Sequence, residues 1–305
     1  MKKLFLFFCT CFSVAAVAQA APVFADDYAY QKQLIMNPSP EKIPTCQAFR
    51  IHPNWFATAA HCVDMCVFDD QCDIKILLAQ GPVNASARVE KNDIFIPKQY
   101  RTVDEKKRIS THKVWDIALI HYHPQEYIYE FAEGGAATQE EFDQAIQASH
   151  SLRVQWKGAT WQTYPLLYSY AEEELMQLKQ NLIVPRWNFG QMQSFSSPQT
   201  VLYFGENKSL WGADGFGVKE GNSGGAVVLE DGGIIGIATA KMDNNLPADV
   251  RQAFPKFGQA YEFFIFNGFA PKTTLKFIEE TMQKFGDRPR VQKLKHVQAP
   301  TPVVL

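Results

Sequence analysis

The strongest constraint on the fold of this chain is a series of short, β-rich apolar segments separated by turn residues. Branched and aromatic side chains fit the half-buried surface of a sheet, so such segments favour strands. The predicted strands are Ile74–Leu78, Asp116–Ile120, Leu152–Trp156, Ala226–Leu229 and Ile234–Ala238. Asp-Gly lies between the last two and indicates a β-hairpin. Many short strands joined by Gly- and Pro-rich turns predict a sandwich or a barrel.

Helical signals are few and lie mostly outside these segments. A threonine followed by acidic residues and then by apolar spacing predicts a short capped helix over Thr138–Ala148. Ala171–Leu178 is a weaker helical candidate. Apolar residues recur at helical spacing within Lys272–Phe285, which predicts a C-terminal amphipathic helix. Residues 286–305 are polar, basic and Pro-containing, and are predicted to form a flexible tail.

Composition and charge exclude several classes of protein. A chain of 305 residues is long enough for one large all-β unit or for two ordinary domains. Hydrophobic residues make up 46% and charged residues 20%, which is typical of a folded globular protein rather than a disordered one. The formal net charge of −2 indicates no polyanion-binding surface, so nucleic acid is not an expected partner.

Residues 1–20 have the three parts of a signal peptide. Lys2 and Lys3 form a positive region, and Leu4–Val17 is an apolar run too short for a comfortable membrane span. Small residues at positions 18 and 20 then suit a signal peptidase. We therefore expect cleavage near Ala21, no later membrane span, and a secreted or periplasmic protein. A buried N-terminal helix is the alternative.

Export changes how the cysteines are interpreted. Cys9 and Cys11 lie in the signal peptide and are expected to leave with it. The remaining cysteines are Cys46, Cys62, Cys66 and Cys72. An even number in an oxidising compartment implies two disulfides, with three possible pairings. A zinc site that combines these cysteines with His61 is the alternative, although the spacing lacks the Cys-x-x-Cys pairs of structural zinc sites.

Three motifs carry the functional information. Thr-Ala-Ala-His-Cys occupies Thr58–Cys62, and Cys46 precedes Cys62 by sixteen residues. Gly-Asn-Ser-Gly-Gly occupies Gly221–Gly225, and Trp-Asp-Ile-Ala-Leu-Ile occupies Trp115–Ile120 between the two. These motifs closely resemble the active-site signatures of the chymotrypsin/trypsin family of serine proteases, in that family's chain order of His, Asp and Ser. The resemblance covers the mature chain to about Phe285.

The resemblance implies a role for each residue. Ser223 is the nucleophile, and His61 is the base that takes its proton, because a serine hydroxyl is a poor nucleophile at neutral pH. Asp116 fixes the imidazole tautomer and stabilises the imidazolium. The N–H groups of Gly221 and Ser223 are the expected oxyanion donors. The implied substrates are proteins or peptides, and no cofactor is required.

The resemblance also implies the fold, which is all-β with two six-stranded antiparallel barrels and a C-terminal helix. The protease domain is expected over residues 21–285, with the barrels divided near residues 130–150, and the protein is expected to be a monomer. The cleft lies between the barrels, with the histidine and aspartate in the first and the serine in the second. The family disulfide beside the histidine corresponds to Cys46–Cys62, which leaves Cys66–Cys72 as the second pair.

Two features depart from trypsin. Asn222 replaces the aspartate that pairs with the new N-terminus of activated trypsin-like zymogens, so this activation is not expected. Gly-Asn-Ser-Gly is similar to bacterial members of the wider family, including glutamyl endopeptidases. Gly217 stands at the expected pocket floor in place of an aspartate, and Thr239, Ala240 and Lys241 are expected to form the pocket wall. Lys241 would either narrow the pocket or attract an acidic side chain.

Other candidate sites are not expected to function. His121 and His123 would share one face of a strand, but the sequence shows no third ligand for a metal. The glycine-rich run at residues 212–217 follows no βαβ unit, so a nucleotide loop is not expected. Two functional alternatives remain open: an inactive protease homologue that serves as a binding module, and an esterase that uses the same triad.

Overall fold

The structure, a computed structural model, describes most of the chain. The described residues are 28–36, 45–68, 73–100, 115–123, 127–160, 164–170, 174, 182–188, 191–197, 201–204, 210–214, 221–242 and 263–294. The predicted signal peptide, Gly217, Cys72 and nearly all of the helical candidate Ala171–Leu178 lie outside these residues.

The first sheet is formed by strands that lie between residues 31 and 131. They are β1 (Gln31–Met36), β2 (Thr45–His52), β3 (Trp55–Thr58), β4 (Ile74–Ala79), β5 (Val83–Val89), β6 (Ile94–Phe95), β7 (Ala118–His121) and β8 (Tyr127–Phe131). Their order is β6-β7-β3-β2-β1-β4-β5-β8, with antiparallel neighbours throughout. Every residue of β3 is buried, which places this strand in the core of the sheet.

The second sheet is formed by strands that follow residue 166. They are β9 (Leu167–Ser169), β10 (Leu182–Asn188), β11 (Gln191–Ser197), β12 (Val201–Phe204), β13 (Leu210–Asp214), β14 (Ala226–Val228), β15 (Ile234–Met242), β16 (Phe263–Gly268) and β17 (Val291–Lys293). The order is β11-β10-β14-β15-β16-β13-β12, and β9 pairs in parallel with β15 and β17. The predicted hairpin between β14 and β15 is confirmed, with Gly232 at φ +84° in its turn.

The described residues include four α-helices. They are α1 (Asp64–Phe68), α2 (Gln139–Ala148), α3 (His150–Thr160) and α4 (Thr274–Gln283). The predicted capping of α2 is confirmed, because the Thr138 hydroxyl accepts from the Glu141 N–H while the Glu141 carboxylate accepts from the Thr138 N–H. Phe142 of α2 and Leu152 of α3 share a small core with Val83 of β5, so both helices cover the first sheet.

The predicted strand Leu152–Trp156 is wrong, because these residues lie within α3. The buried residues of α3 include Leu152, Gln155 and Ala159, which recur at helical spacing. A five-residue apolar segment is too short to separate this period from the alternation of a strand. The full eleven-residue helix buries one face against β4 and its neighbours.

The C-terminal helix is confirmed as α4, but the segment after it differs from the predicted flexible tail. Asp287 accepts a hydrogen bond from the Trp55 indole N–H at 2.7 Å. Val291–Lys293 forms β17, and Leu294 is only 3% exposed. The chain therefore packs against both sheets as far as Leu294, because apolar and hydrogen-bonding side chains are interspersed in a segment that is polar overall. Residues 295–305 lie outside the described part.

The predicted fold class is confirmed. The protein is mostly β, with two curled sheets, few helices and a C-terminal helix, as in the chymotrypsin-like double barrel. Eight and nine strands are described where six in each barrel were predicted, since several are short edge strands. One core cluster joins both sheets and includes Phe56 and Ile237. Within the described residues, no helix is long and apolar enough to cross a membrane.

Lys32 of β1 carries a buried amine whose replacement by an apolar group is expected to stabilise the fold. It is 1% exposed, and its Nζ donates to the Gln155 carbonyl at 2.6 Å. Burial, and then the charge of Arg50, hold the pKa of Lys32 well below its usual range. Between this lowered pKa and the unfolded value of about 10.4, the unfolded chain binds one more proton, so stability rises with pH by up to about 1.4 kcal/mol per unit.

Lys32→Met should therefore raise the free energy of unfolding at pH 6 and 7, and the gain should shrink towards pH 9. Urea denaturation at these pH values measures it. Lys91→Met is the control, because Lys91 is exposed, and we expect no comparable pH-dependent gain from it. A gain for Lys32→Met that stays constant or grows with pH would contradict the interpretation.

Candidate active site

His61 lies in a tight turn between β3 and α1. The turn is the 3-10 segment Ala60–Cys62, in which Ala60 and Cys62 are buried while His61 is exposed. The disulfide Cys46–Cys62, with its Cα atoms 6.1 Å apart, ties this turn to β2. The predicted pairing of these cysteines is confirmed. Cys66 is also disulfide-bonded, while the predicted partner Cys72 lies outside the described residues.

Asp116 holds both the backbone and the ring of His61. It lies two residues before β7, and the first residue of β7, Ala118, pairs with Thr58 at the end of β3. The segment before β7 therefore lies beside the turn that follows β3. One carboxylate oxygen lies 2.7 Å from His61 Nδ1, and the other accepts from the His61 backbone N–H at 2.8 Å. Because Asp116 is 2% exposed, these two contacts lie away from bulk water. They orient the imidazole with its other nitrogen, Nε2, away from the carboxylate.

Tyr100 is a second titratable group near this pair. Its hydroxyl donates to the Asp64 carboxylate at 2.7 Å. The pKa of Tyr100 is raised above its usual range. Burial is the largest cause, and the hydrogen bond to Asp64 and the charge of Asp116 raise the pKa further. The phenol therefore stays neutral at physiological pH.

Ser223 lies in a loop that docks onto the first sheet. Its carbonyl accepts a hydrogen bond from the Gln47 N–H at 2.7 Å, and Gln47 is the neighbour of Cys46. The Ala226 N–H donates to the Gln31 side chain at 3.2 Å. On the other side, the Gly224 N–H donates to a β15 carbonyl at 2.7 Å. The loop is thus fixed between both sheets. Its bond to Gln47 of β2 places it near the Cys46–Cys62 disulfide, which lies beside His61.

The Ser223 hydroxyl is held by β15 in this structure. It donates to the Thr239 carbonyl at 3.2 Å, and among the described residues this is its partner rather than the imidazole of His61. Neither the Gly221 N–H nor the Ser223 N–H donates to another described residue. Gly221 has φ +88°, a conformation that glycine adopts without strain.

The loop conformation depends strongly on Gly224. This residue has φ +80°, and a Cβ atom there would overlap the Gln47 carbonyl and the Thr58 hydroxyl. We expect Gly224→Ala to displace Ser223 and to lower kcat/KM by about 100-fold, since displacements near 1 Å at a reacting group have effects of this size. Peptide-cleavage kinetics on the purified variant measure it.

Gly232→Ala is a matched control for this substitution. Gly232 has φ +84°, but a Cβ atom there would meet nothing within 4 Å. It should cost about 1–2 kcal/mol of stability through backbone strain and leave kcat/KM unchanged. Equal loss of activity in the two variants would argue that general destabilisation, and not the position of Ser223, is responsible.

Comparison with protein families decides the assignment of this chain. The family model described as Trypsin matches residues 20–257, which is more than half of the chain. The chain belongs to the trypsin family. Its class is therefore that of the serine-type endopeptidases, which are hydrolases. The predicted family and enzyme class are confirmed.

The solved structures similar to this trypsin-family chain include two proteases and one protease paralogue. A Glu endopeptidase has 13% identity over 83% of this chain and 90% of its own, with a TM-score of 0.47. Neuropsin, a serine protease of mouse brain, has 15% identity over 87% of this chain and 97% of its own, with a TM-score of 0.47. An inactivated protease paralogue of the scabies mite has 14% identity over 86% of this chain and 97% of its own, with a TM-score of 0.46. No curated protein matches the sequence.

The predicted specificity residues are only partly described. Thr239, Ala240 and Lys241 are consecutive in β15. The Thr239 carbonyl accepts the hydrogen bond from the Ser223 hydroxyl. Asn267 of β16 donates to the Thr239 hydroxyl at 2.8 Å and is fully buried. Gly217 lies outside the described residues. β15 therefore lies next to Ser223, and the hydrogen bond from Asn267 of β16 fixes the Thr239 side chain.

Two residues that support the Ser223 loop, Gln31 and Gln47, were not identified from the sequence. Gln31 and Gln47 are glutamines in buried strands that bind the Ser223 loop from the first sheet. Asn222 is 1% exposed, and its carbonyl accepts from the Gly225 N–H. Polar residues within otherwise apolar strands are the signal that could have indicated Gln31 and Gln47, because buried polar groups need partners.

Among the residues that the structure describes, two groups of side chains have the spacing of metal ligands. Cys46, His61 and Cys62 form the first, but both cysteines are in the disulfide and His61 contacts Asp116. The second group joins Asp93 to His121 and His123. The structure thus places beside the histidine pair a third potential ligand, which the sequence did not show.

Proposed function

We propose that this trypsin-family chain is a secreted serine endopeptidase that cleaves peptide bonds through Ser223, His61 and Asp116. The observation that supports it most strongly is the double contact of Asp116 with His61, at 2.7 Å to the ring and 2.8 Å to the backbone. A buried carboxylate on Nδ1 leaves Nε2 as the proton acceptor, which is the state that a general base for serine requires.

The proposed reaction consists of acylation of Ser223 and hydrolysis of the acyl-enzyme, and His61 transfers the proton in both steps. Ser223 Oγ attacks the carbonyl carbon of the scissile bond while His61 Nε2 takes the hydroxyl proton. The tetrahedral intermediate collapses, the C–N bond breaks, and the imidazolium returns the proton to the leaving amine. Water then attacks the acyl-enzyme with His61 again as base, and the carboxylic acid leaves as Ser223 regains its proton. Asp116 keeps its negative charge throughout and stabilises the imidazolium.

Attack requires a change at Ser223 from the resting arrangement. Its hydroxyl donates to Thr239, so rotation about the Cα–Cβ bond must bring Oγ towards His61 Nε2 when substrate binds. Catalytic hydrogen bonds commonly tighten only in the complex. The Gly221 and Ser223 N–H groups are proposed to bind the oxyanion, and such donors contribute about 3–4 kcal/mol each to lowering the barrier.

Substrate binding is proposed to occur along β15, beside Thr239. We assign Thr239, Ala240 and Lys241 to the pocket wall and Gly217 to its floor. Secretion is part of the proposal, because residues 1–20 have a signal-peptide pattern and the Cys46–Cys62 disulfide suits an oxidising compartment.

The proposal is tested with the purified, oxidised chain that begins at Ala21. It should digest a denatured protein substrate, and His61→Ala should stop digestion. His150→Ala should not, because His150 is exposed at the start of α3. Turnover of a peptide and of a matched ester separates the alternatives. Cleavage of the ester alone would assign an esterase, and a folded chain that cleaves neither would support a binding module.

A further inference from the structure

The group formed by Asp93, His121 and His123 follows from the pairing of β6 with β7. Ile94 lies opposite Ile120 in this pair, and continuing the register by one residue sets Asp93 opposite His121. Successive side chains of an extended chain alternate in direction, so His123 lies on the same side as His121. Tyr122 between them turns into the core and is 3% exposed. Three potential ligands therefore share one side of this sheet edge.

The distances within this group suit one metal ion. All three potential ligand atoms lie within 4.8 Å of one another, and His123 Nε2 is 3.3 Å from Asp93 Oδ1. Two ligands about 2.0–2.1 Å from a tetrahedral zinc ion are about 3.3 Å apart. The Asp93–His123 pair already has this separation, and the potential ligand atom of His121 lies within 4.8 Å of both. An ion pair between His123 and Asp93 is an alternative explanation for the proximity of these two side chains, but it does not explain why His121 lies beside them.

Aromatic packing holds the first of these ligands in place. The His121 ring stacks on Trp55, with centroids 4.5 Å apart and planes at 26°, and it contacts Phe285 at 4.5 Å. The Trp55 indole is itself fixed by its hydrogen bond to Asp287. A ligand that is already ordered loses little side-chain entropy on binding. The His123 and Asp93 side chains are 55% and 24% exposed, so an ion can enter from solvent.

We propose that Asp93, His121 and His123 bind one divalent transition-metal ion, with zinc as the preferred ion. Two imidazoles and one carboxylate match the ligands of zinc, whereas calcium and magnesium select sites made wholly of oxygen. Three protein ligands leave a fourth position for water. The site lies at the end of β7 away from Asp116, so it is separate from the proposed triad. The ion ties the turn Lys91–Asp93 to the end of β7 and stabilises the first sheet.

Calorimetric titration with zinc tests the proposal on the oxidised chain from Ala21, without an affinity tag. The Ser223→Ala background prevents self-digestion and makes the result independent of catalysis. We expect one ion per chain, an increase in Tm with zinc, and cobalt absorption bands typical of a four-coordinate site. Asp93→Asn keeps the size of a partly buried side chain and His123→Ala removes an exposed one, so folding should be preserved, and each should weaken zinc binding by more than about tenfold.

His150→Ala is the matched control, since it removes an exposed histidine from another part of the chain. It should bind zinc as the background does. A dissociation constant above about 1 mM in the background protein contradicts the proposal. Affinity that survives both Asp93→Asn and His123→Ala, or that falls equally in His150→Ala, also contradicts it, because the ion would then be held elsewhere.

Discussion

Ser223→Ala is expected to lower kcat/KM for a peptide substrate by about 10⁴–10⁶-fold. The substitution removes the only atom proposed to form the acyl-enzyme, while the loop keeps its hydrogen bonds through backbone groups. Those bonds join the Ser223 carbonyl to Gln47 and the Gly224 N–H to β15. Initial rates over a range of peptide concentrations measure the effect, and denaturation curves should show the variant folded.

Ser151→Ala is the control for this variant, because Ser151 lies in α3, far along the chain from the proposed site. It should cleave peptide at the rate of the unmodified protein. A Ser223→Ala variant that keeps more than a small fraction of the activity would show that another group is the nucleophile.

Asp116→Asn is expected to lower kcat by about 10⁴-fold with much less change in KM. Asp116 accepts hydrogen bonds from both the His61 backbone N–H and the ring, using a different oxygen for each. An amide has only one oxygen, so one of these contacts meets an NH₂ group instead. If the amide nitrogen faces Nδ1, the neutral ring must place its proton on Nε2, which then cannot accept the proton of Ser223.

Asp143→Asn controls for the loss of a carboxylate, since Asp143 is exposed on α2. We expect unchanged kinetics from it. Equal values of kcat for Asp116→Asn and the unmodified protein would contradict the role of Asp116, while a rise in KM alone would place it in substrate binding.

Features governed by local chemistry could be predicted from the sequence. The α2 cap depends on Thr138 and Glu141, which are three residues apart, and the β14–β15 hairpin depends on Asp-Gly at its turn. The Cys46–Cys62 pair followed from the family resemblance. In each case the interacting residues are close in sequence or form part of a recognised motif.

Features that depend on distant residues could not be predicted. Asp93 reaches the histidine pair only because β6 and β7 are neighbours, and the separate segments carry no sign of this pairing. The partner of Gln191–Ser197 is β10, which sequence patterns did not identify. The segment through Leu294 becomes ordered because Trp55 and β9 supply partners far away in sequence.

The proposed nucleophile is tested most directly by locating the covalent adduct of a fluorophosphonate probe. The oxidised chain from Ala21 is treated with the probe, digested, and mapped by peptide mass spectrometry. One adduct per chain, on Ser223, is predicted, together with loss of peptidase activity in proportion to labelling and much slower labelling of His61→Ala. An adduct on another residue, or peptide cleavage that persists when Ser223 is fully modified, would contradict the proposed mechanism.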